Sequence, residues 1–385
     1  MPTRGTISIF ALSLLAAGCP PKDEPPGDTF DRSALLASIA QHAVLAPLRT
    51  FEAKAAALAE ATAGLRDAVA SGADDVPGKR AAAREAWRAA IAAWQELESI
   101  QVGPAGLSTA TTGGLGLRDR LYSWPITSPC RVDQETVAGD FATDGFFGRS
   151  LVNVGGLDAV EYLLFRDDTA NACAPQATIN DQGTWNALGE AEVVKRRAAY
   201  AAAASADVKA NATVLVNEWA PSGNDFGGKL AKAGKDGGAH PSAKAALDEV
   251  FAAMFHADKQ IKDAKLGDPA GITTKCASDA CPELLESKWA KASKEHIAAN
   301  LRGLRRVLLG GEPADKAANT GFDDFVDAIA AVEGIEGTLD DALVNDADGV
   351  ATAHAAVKAV TDLLKSQFVT VLNLSVPQEG AADND

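Results

Sequence analysis

The sequence predicts an all-α fold with two helical groups, each similar to a four-helix bundle. Alanine-rich stretches with apolar residues at helical spacing run through most of the 385 residues. Alternating apolar and polar residues, the pattern of half-buried strands, are scarce. Glycine and proline clusters separate the helical stretches, for example at 221–223 and 310–313. These observations favour bundles joined by irregular loops.

The apolar spacing places the helices in order along the chain. Continuous patterns predict helices at 33–46, 50–71, 156–165, 190–219 and 241–264. Four further apolar stripes, whose first residues are Trp87, Leu285, Phe322 and Val357, each mark one face of a helix.

The folded part of the chain is expected to divide into two subdomains, about 33–205 and 206–372. The stripes that contain Trp87 and Trp289 each carry a tryptophan near the start and end at glycine. This weak likeness fits two related bundles within one domain of 33–372.

The N-terminus has the pattern of an export signal. Residues 1–18 carry a positive charge, an apolar core too short to span a bilayer, and small residues immediately before Cys19. Small residues before a cysteine are typical of a bacterial lipobox, in which Cys19 is lipidated. An ordinary signal peptide that contains a cysteine is the alternative. Residues 19–32 form a polar tether and residues 373–385 a disordered acidic tail.

The chain is strongly acidic. Its 52 acidic and 36 basic side chains give a net charge of −16. Such a charge argues against nucleic acid or an anionic membrane surface as a ligand, and it is compatible with cations. Solubility alone is the alternative explanation.

Four cysteines remain beside Cys19, and an even number in an exported chain favours disulfides. Pairing nearest neighbours gives Cys130 with Cys173 and Cys276 with Cys281. A site with four thiolate ligands is the alternative, but exported proteins rarely keep thiols reduced. We therefore predict two disulfides.

Asp158 and Glu161 form the most informative polar pair in the sequence. They lie three residues apart at the start of the apolar segment 156–165, so a helix would place both on one face. That arrangement can direct two carboxylates at one cation. A helix-capping pair is the alternative. Glu98 is a third candidate for the same site, with a buried structural salt bridge as its alternative.

Six motifs follow one another with regular spacing through both halves of the chain. They are Ala86-Trp87, Glu98 with Gly103-Pro104, Ser123-Trp124-Pro125-Ile126, the segment 156–164, the segment 265–271, and the stretch from Ser287 through Asn300-Leu301-Arg302-Gly303 to Gly310. In this order the set resembles the imelysin family over roughly 33–372.

The resemblance implies an exported helical protein of two bundles, often a lipoprotein. The family is associated with iron uptake, and some members were described as insulin-cleaving membrane peptidases. Its marker, Gly-x-His-x-x-Glu, is proposed to bind metal. Gly156 and Glu161 match this marker, but Asp158 stands at the histidine position, and Gln101 stands where an arginine is usual.

The departure from the marker changes the metal that is expected. Asp158 and Glu161 offer only hard oxygen ligands, which favour ferric iron, calcium, magnesium or manganese over zinc. A zinc peptidase needs three protein ligands, usually with a histidine, and no His-Glu-x-x-His occurs in the sequence. The five histidines have no short ligand spacing, and His296 is the one to test first.

We therefore expect a lipid-anchored protein on the periplasmic side, held by the outer membrane. It would bind iron or another hard cation, as an ion or a complex, in iron acquisition, with an iron-transport system as a partner. Two alternatives remain open. One is a metallopeptidase of the imelysin type, which the replacement of histidine by Asp158 supports poorly. The other is a scaffold lipoprotein whose site no longer binds metal.

Overall fold

The computed structural model describes residues 30–107, 113–311 and 323–371. Within those ranges the regular secondary structure is helical and no strand occurs, which confirms the all-α prediction. None of the helices described there has the length and apolar character needed to cross a bilayer. The predicted signal peptide, Cys19 and the acidic tail lie outside the described residues.

Seventeen α-helices are distributed over the described residues. Ten precede residue 220: α1 (Arg32–Ser38), α2 (Ala46–Ser71), α3 (Val76–Gln95), α4 (Leu117–Leu121), α5 (Pro129–Ala138), α6 (Phe146–Arg149), α7 (Gly156–Phe165), α8 (Thr178–Asp181), α9 (Thr184–Leu188) and α10 (Glu190–Trp219). Seven follow: α11 (Phe226–Ala231), α12 (Ala243–Met254), α13 (Ser293–Leu308), α14 (Asp323–Glu333), α15 (Leu339–Asn345), α16 (Ala347–Leu363) and α17 (Val369–Val371). Three segments are π-helical: Ile39–Leu45, Ala257–Gly267 and Leu364–Phe368. Four are 3₁₀ turns: Gly103–Ala105, Asp140–Ala142, Val152–Val154 and Pro282–Leu284.

The helices α2, α3, α7 and α10 pack against one another. Trp87 of α3 is fully buried, and its indole N–H donates to the carbonyl oxygen of Leu157 at 2.7 Å. A buried indole needs such an acceptor, so this bond fixes α7 against α3. Phe165, at the end of α7, packs edge-on against the same indole with ring centroids 5.1 Å apart.

A second group contains α13, α14, α16 and the π-helical segment Ala257–Gly267. Helices α3 and α13 bring the two groups into contact. Gly303 makes their close approach possible, since a Cβ atom there would lie 2.0 Å from the carbonyl oxygen of Glu96. The two predicted helical groups are thus present, whereas their division near residue 205, a position within α10, stays a prediction.

Helix bounds agree best where the apolar pattern is uninterrupted. The predictions at 156–165 and 190–219 coincide with α7 and α10. The expected break between 46 and 50 is wrong, because α1 continues through the π-helical segment into α2. Pro47 lies in the first turn of α2, where a helix tolerates its missing N–H.

The helix expected from Leu285 is also wrong at its start. The chain is irregular after the Pro282–Leu284 turn, and α13 begins only at Ser293. Trp289 therefore lies outside any helix, which removes its likeness to the helical Trp87.

Both predicted disulfides are present. Cys130–Cys173 joins α5 to the segment after α7 and closes a sequence separation of 43 residues. Cys276–Cys281 closes a separation of 5 residues before the 3₁₀ turn Pro282–Leu284. The alternative of a four-thiolate site is therefore wrong.

Candidate functional site

Asp158 and Glu161 are both buried, 6 % and 2 % exposed, in the first half of α7. The helix starts at Gly156, which has a φ of +77°. A Cβ atom at this position would lie 3.0 Å from the carbonyl oxygen of Leu121 and 2.8 Å from Asp158 Oδ1. The glycine is required both for the left-handed backbone and for the close approach of the chain before it.

Asp158 accepts hydrogen bonds from the turn between α4 and α5. The Ser123 backbone N–H and hydroxyl donate to Oδ2 at 3.1 Å and 2.9 Å, and the Thr127 hydroxyl donates to the same oxygen. This turn contains the cis peptide bond between Trp124 and Pro125. Burial raises the pKa of Asp158 to about 7, although the bonds from Ser123 oppose that rise.

Glu161 accepts hydrogen bonds from the irregular segment before α13. The backbone N–H groups of Trp289 and Ala290 donate to Oε1 at 3.1 Å and 2.9 Å. The Ser287 hydroxyl also donates to this carboxyl group. Burial raises the pKa of Glu161 to about 8. The absence of helix at 289–290 matters here, because helical N–H groups would be bonded within the helix.

Lys265 lies at the centre of a buried polar cluster beside this pair. Its ammonium group donates to Glu98 Oε2 at 2.5 Å, and lies 2.8 Å from Glu286 Oε1. It also donates to Gln95 Oε1 and to Asn300 Oδ1, both at 2.8 Å. The side chains of Lys265, Glu98 and Glu286 have no exposed surface. One ammonium group therefore serves two carboxylates that are excluded from solvent.

Glu98 also has Arg118 and His256 as neighbours. Arg118 Nη2 donates to its Oε1 at 3.0 Å, and His256 Nε2 lies 3.9 Å from the same oxygen. Burial alone would raise the pKa of Glu98, but Lys265, His256 and Arg118 lower it below its ordinary value. Burial lowers the pKa of His256 to about 4. Gln101, which stands where an arginine is usual in the family, bonds to His256 Nδ1 at 3.0 Å. The guanidinium that contacts Glu98 belongs to Arg118 instead.

Glu286 links Lys265 to the side of the cluster that contains Glu161. Tyr122 donates to Glu286 Oε1 at 2.6 Å, and His296 Nδ1 lies 3.3 Å from Oε2. Ser287 Oγ, which bonds to Glu161, lies 3.2 Å from the same His296 nitrogen. Burial favours the protonated form of Glu286, but Lys265 and His296 outweigh it and lower the pKa.

Tyr122 connects the buried cluster to Asp158, because it donates to Glu286 and precedes Ser123, whose N–H and hydroxyl donate to Asp158. Burial raises the pKa of Tyr122, and the charges of Glu286, Glu98 and Asp158 raise it further. The structure thus places Glu98 in the same buried region as Asp158, while pairing it with cations. Asp158 and Glu161 themselves form no ion pair with any described residue.

Sequence reasoning missed most of the cluster that surrounds the predicted pair. Four of its polar members were not predicted: Gln95, Tyr122, Lys265 and Glu286. A signal was present for Lys265, because it opens the motif 265–271 and lies beside apolar positions. No local pattern marks the other three.

The ligand atoms at this site are of a type that suits a metal ion, but their arrangement does not form a metal site. Carboxylate oxygens from Asp158 and Glu161 suit a hard cation. His296 Nε2 is buried and has no hydrogen-bond partner among the described residues. In the same part of the chain, however, no three or more His, Cys, Asp or Glu side chains are arranged to hold a metal ion. A metal ion would need both carboxyl groups to release their protons and their present donors.

Most of this chain matches the model of one known protein family. The family model described as imelysin matches residues 44–367. The chain belongs to the imelysin family. The predicted resemblance is confirmed, and the segment 156–161, in which the sequence analysis placed the family's marker, lies at the start of α7. A comparison with curated proteins finds no match.

Two solved structures share the imelysin fold with this chain. A putative iron-regulated protein A precursor from Parabacteroides distasonis is 18 % identical, with a TM-score of 0.65, and the match covers 86 % of this chain and 93 % of that one. An imelysin-like protein from Psychrobacter arcticum is 16 % identical, with a TM-score of 0.63, and the match covers 90 % and 96 %. At these identities the likeness establishes the fold alone.

Proposed function

We propose that this imelysin-family protein binds a metal ion or a small metal complex in iron acquisition, through Asp158 and Glu161. Family membership and the fold shared with a putative iron-regulated protein support the connection with iron. The observation that carries the site is the pair of buried carboxyl groups without an ion-pair partner among the described residues.

Electrostatics explains why this pair suits a cation. Burying an ionised carboxylate without a counter-charge is unfavourable, so burial raises both pKa values, to about 7 and about 8. Lys265 already pairs with Glu98 and Glu286, but it does not bond to Asp158 or Glu161. A bound hard cation would supply the positive charge that this pair lacks.

The first experiment is elemental analysis of the natively purified protein, followed by calorimetric titration with manganese(II) and ferric citrate. The test variant is Asp158→Asn/Glu161→Gln, which keeps the side-chain shapes and removes both negative charges. A matched control is Asp324→Asn/Asp327→Asn, because these residues have the same three-residue spacing on an exposed face of α14.

We expect the control to bind like the wild type and the test variant to lose at least about tenfold in affinity, since each carboxylate ligand is charge-assisted. Equal binding by all three proteins would remove Asp158 and Glu161 from the site. Circular dichroism of the test variant separates lost binding from lost folding.

A metal-free scaffold is the second candidate function. The observation in its favour is that protein donors already bond to Asp158 and Glu161, while Lys265 lies between the other two acids. This candidate predicts no bound metal and no measurable titration heat. The metallopeptidase alternative has no comparable support among the described residues.

We also propose that Cys19 is lipidated and anchors the protein to the outer membrane on its periplasmic side. The small residues before Cys19 and the polar tether 19–32 support this placement. Cys19→Ser should move the protein from the membrane fraction to the soluble fraction. Retention of that variant in the membrane fraction would contradict the anchor. We also propose that the anchored protein has an iron-transport system as its partner.

A further inference from the structure

A cavity of about 670 Å³ lies between α13 and α14, formed by side chains that take no part in the buried cluster. Arg302, Arg305 and Arg306 of α13 supply one part of its lining. Val326 and Ile329 of α14 supply an apolar part. The volume is within the range of pockets that hold small organic ligands.

The arginines occupy one face of α13 because they lie three and four residues apart. Arg302 is paired with Glu333 at 2.6 Å, and Arg306 is paired with Glu96. Arg305 has no ion pair with any residue that the structure describes. Its Nε atom is buried and lacks an acceptor there, as does Nη1 of Arg306.

Helix electrostatics explains only part of this arrangement. Cations in the last turn of a helix are favoured by the helix dipole, and that accounts for Arg305 and Arg306 near the end of α13. It does not account for the position of Arg305, a cation that lines the cavity without an acidic partner among the described residues. An anion in the cavity would supply that partner.

We propose that this cavity binds an organic carboxylate with an apolar body. The guanidinium groups would bond to the carboxylate, with Arg305 as the principal donor because it has no acidic partner among the described residues. Val326 and Ile329 would contact the apolar body. Glu333 also lines the cavity and pairs with Arg302, and Arg306 pairs with Glu96 outside the lining, so Arg305 supplies the positive charge that an anion would meet in a chain of net charge −16.

The test uses the full folded protein and three probes: 2-naphthoate, the neutral 2-naphthalenemethanol of similar shape, and inorganic phosphate. Binding is measured by calorimetry and by nuclear magnetic resonance. We expect 2-naphthoate to bind at least about tenfold more tightly than either other probe, because only it combines the charge with the apolar body.

Two variants test the two parts of the lining. Arg305→Gln removes the unpaired guanidinium, and Val326→Asp places a negative charge at a position that is 47 % exposed and so tolerates substitution. Each should weaken 2-naphthoate binding by about tenfold or more. The matched control is Arg149→Gln, which removes an exposed arginine of α6 that does not line the cavity.

Several results would overturn the proposal. Equal affinity for 2-naphthoate and 2-naphthalenemethanol would show that the charge of the ligand is irrelevant. Equal affinity for 2-naphthoate and phosphate would show that the apolar part of the lining is irrelevant. Wild-type affinity in Arg305→Gln, or no binding of 2-naphthoate at millimolar concentration, would also refute it. Unchanged thermal unfolding of the variants confirms that any loss is local.

Discussion

Lys265 Nζ lies 2.5 Å from Glu98 Oε2, although 167 residues separate the two positions in the chain. Glu98 follows α3 in the first helical group, and Lys265 belongs to the π-helical segment of the second. Glu286 lies 2.8 Å from the same ammonium group. One fully buried ion cluster therefore joins the two groups near the candidate site.

Replacing Lys265 by methionine should strongly destabilise the protein. The variant would leave Glu98 and Glu286 buried without their common cation, and removing one partner of a buried ion pair costs about 3–5 kcal/mol. Urea unfolding followed by circular dichroism measures the change in the free energy of unfolding.

Lys54→Met is the matched control, because Lys54 is exposed on α2. Its effect should stay within about 0.5 kcal/mol. A Lys265→Met protein as stable as this control would show that the cluster does not depend on the ammonium group.

Gly303→Ala should weaken the contact between α3 and α13. The new Cβ atom would lie 2.0 Å from the Glu96 carbonyl oxygen, so the helices must separate. We expect a loss of about 1–3 kcal/mol despite the better helix propensity of alanine. Gly64→Ala in α2 meets nothing within 4 Å and should gain about 0.5–1 kcal/mol. Thermal or urea unfolding measures the change in stability of each variant. A change of the same sign in Gly303→Ala and Gly64→Ala would contradict the close contact at Gly303.

Asp158 and Glu161 should make the protein less stable as pH rises. Their folded pKa values, about 7 and about 8, lie above the ordinary values of 3.8 and 4.5. Between the unfolded and folded pKa values the folded state holds more protons, so the free energy of unfolding falls as pH rises from about 4 to about 8.

The Asp158→Asn/Glu161→Gln variant lacks this titration. The stability of the metal-free wild type relative to the variant should therefore fall by about 3 kcal/mol or more between pH 5 and pH 8.5. Unfolding free energies measured at both pH values provide the test. A difference that does not change with pH would show that the two carboxyl groups titrate normally.

Metal binding at this pair should strengthen with pH. A cation must displace the protons of both carboxyl groups, so its affinity should rise by up to about tenfold per group for each pH unit below the pKa. Calorimetry with manganese(II) at pH 6, 7 and 8, in buffers of different ionisation enthalpy, would detect the released protons. An affinity without pH dependence would place the ion at some other site.

The two disulfides should contribute unequally to stability. On the chain-entropy model, Cys130–Cys173 closes a 43-residue separation and contributes about 4 kcal/mol, while Cys276–Cys281 closes 5 residues and contributes about 2 kcal/mol. Double serine variants at each pair, compared by urea unfolding, test this order. A larger loss at the short loop would contradict it.

The sequence alone predicted the features that depend on the order and spacing of residues along the chain. Uninterrupted apolar periodicity gave the bounds of α7 and α10, because burial of one helix face repeats every few residues. The cysteine pairs followed from their number and order. The position of Asp158 and Glu161 on one buried helix followed from a spacing of three residues.

The local sequence pattern could not predict that the chain is irregular at 285–292. The apolar stripe there continues at helical spacing, yet Trp289 and Ala290 leave the helix and donate to Glu161. A buried carboxyl group distant in the sequence accepts those N–H bonds, and only packing brings it there.

Tertiary structure alone decided which polar groups meet. Lys265, Glu98 and Glu286 come from three separate segments, and no short-range pattern relates them. Their pairing depends on the contact between two helical groups, where water is excluded and every buried charge must find a partner in the protein. Residue spacing fixes a helix and its buried face, but the groups that satisfy a buried charge are fixed only when the helices pack together.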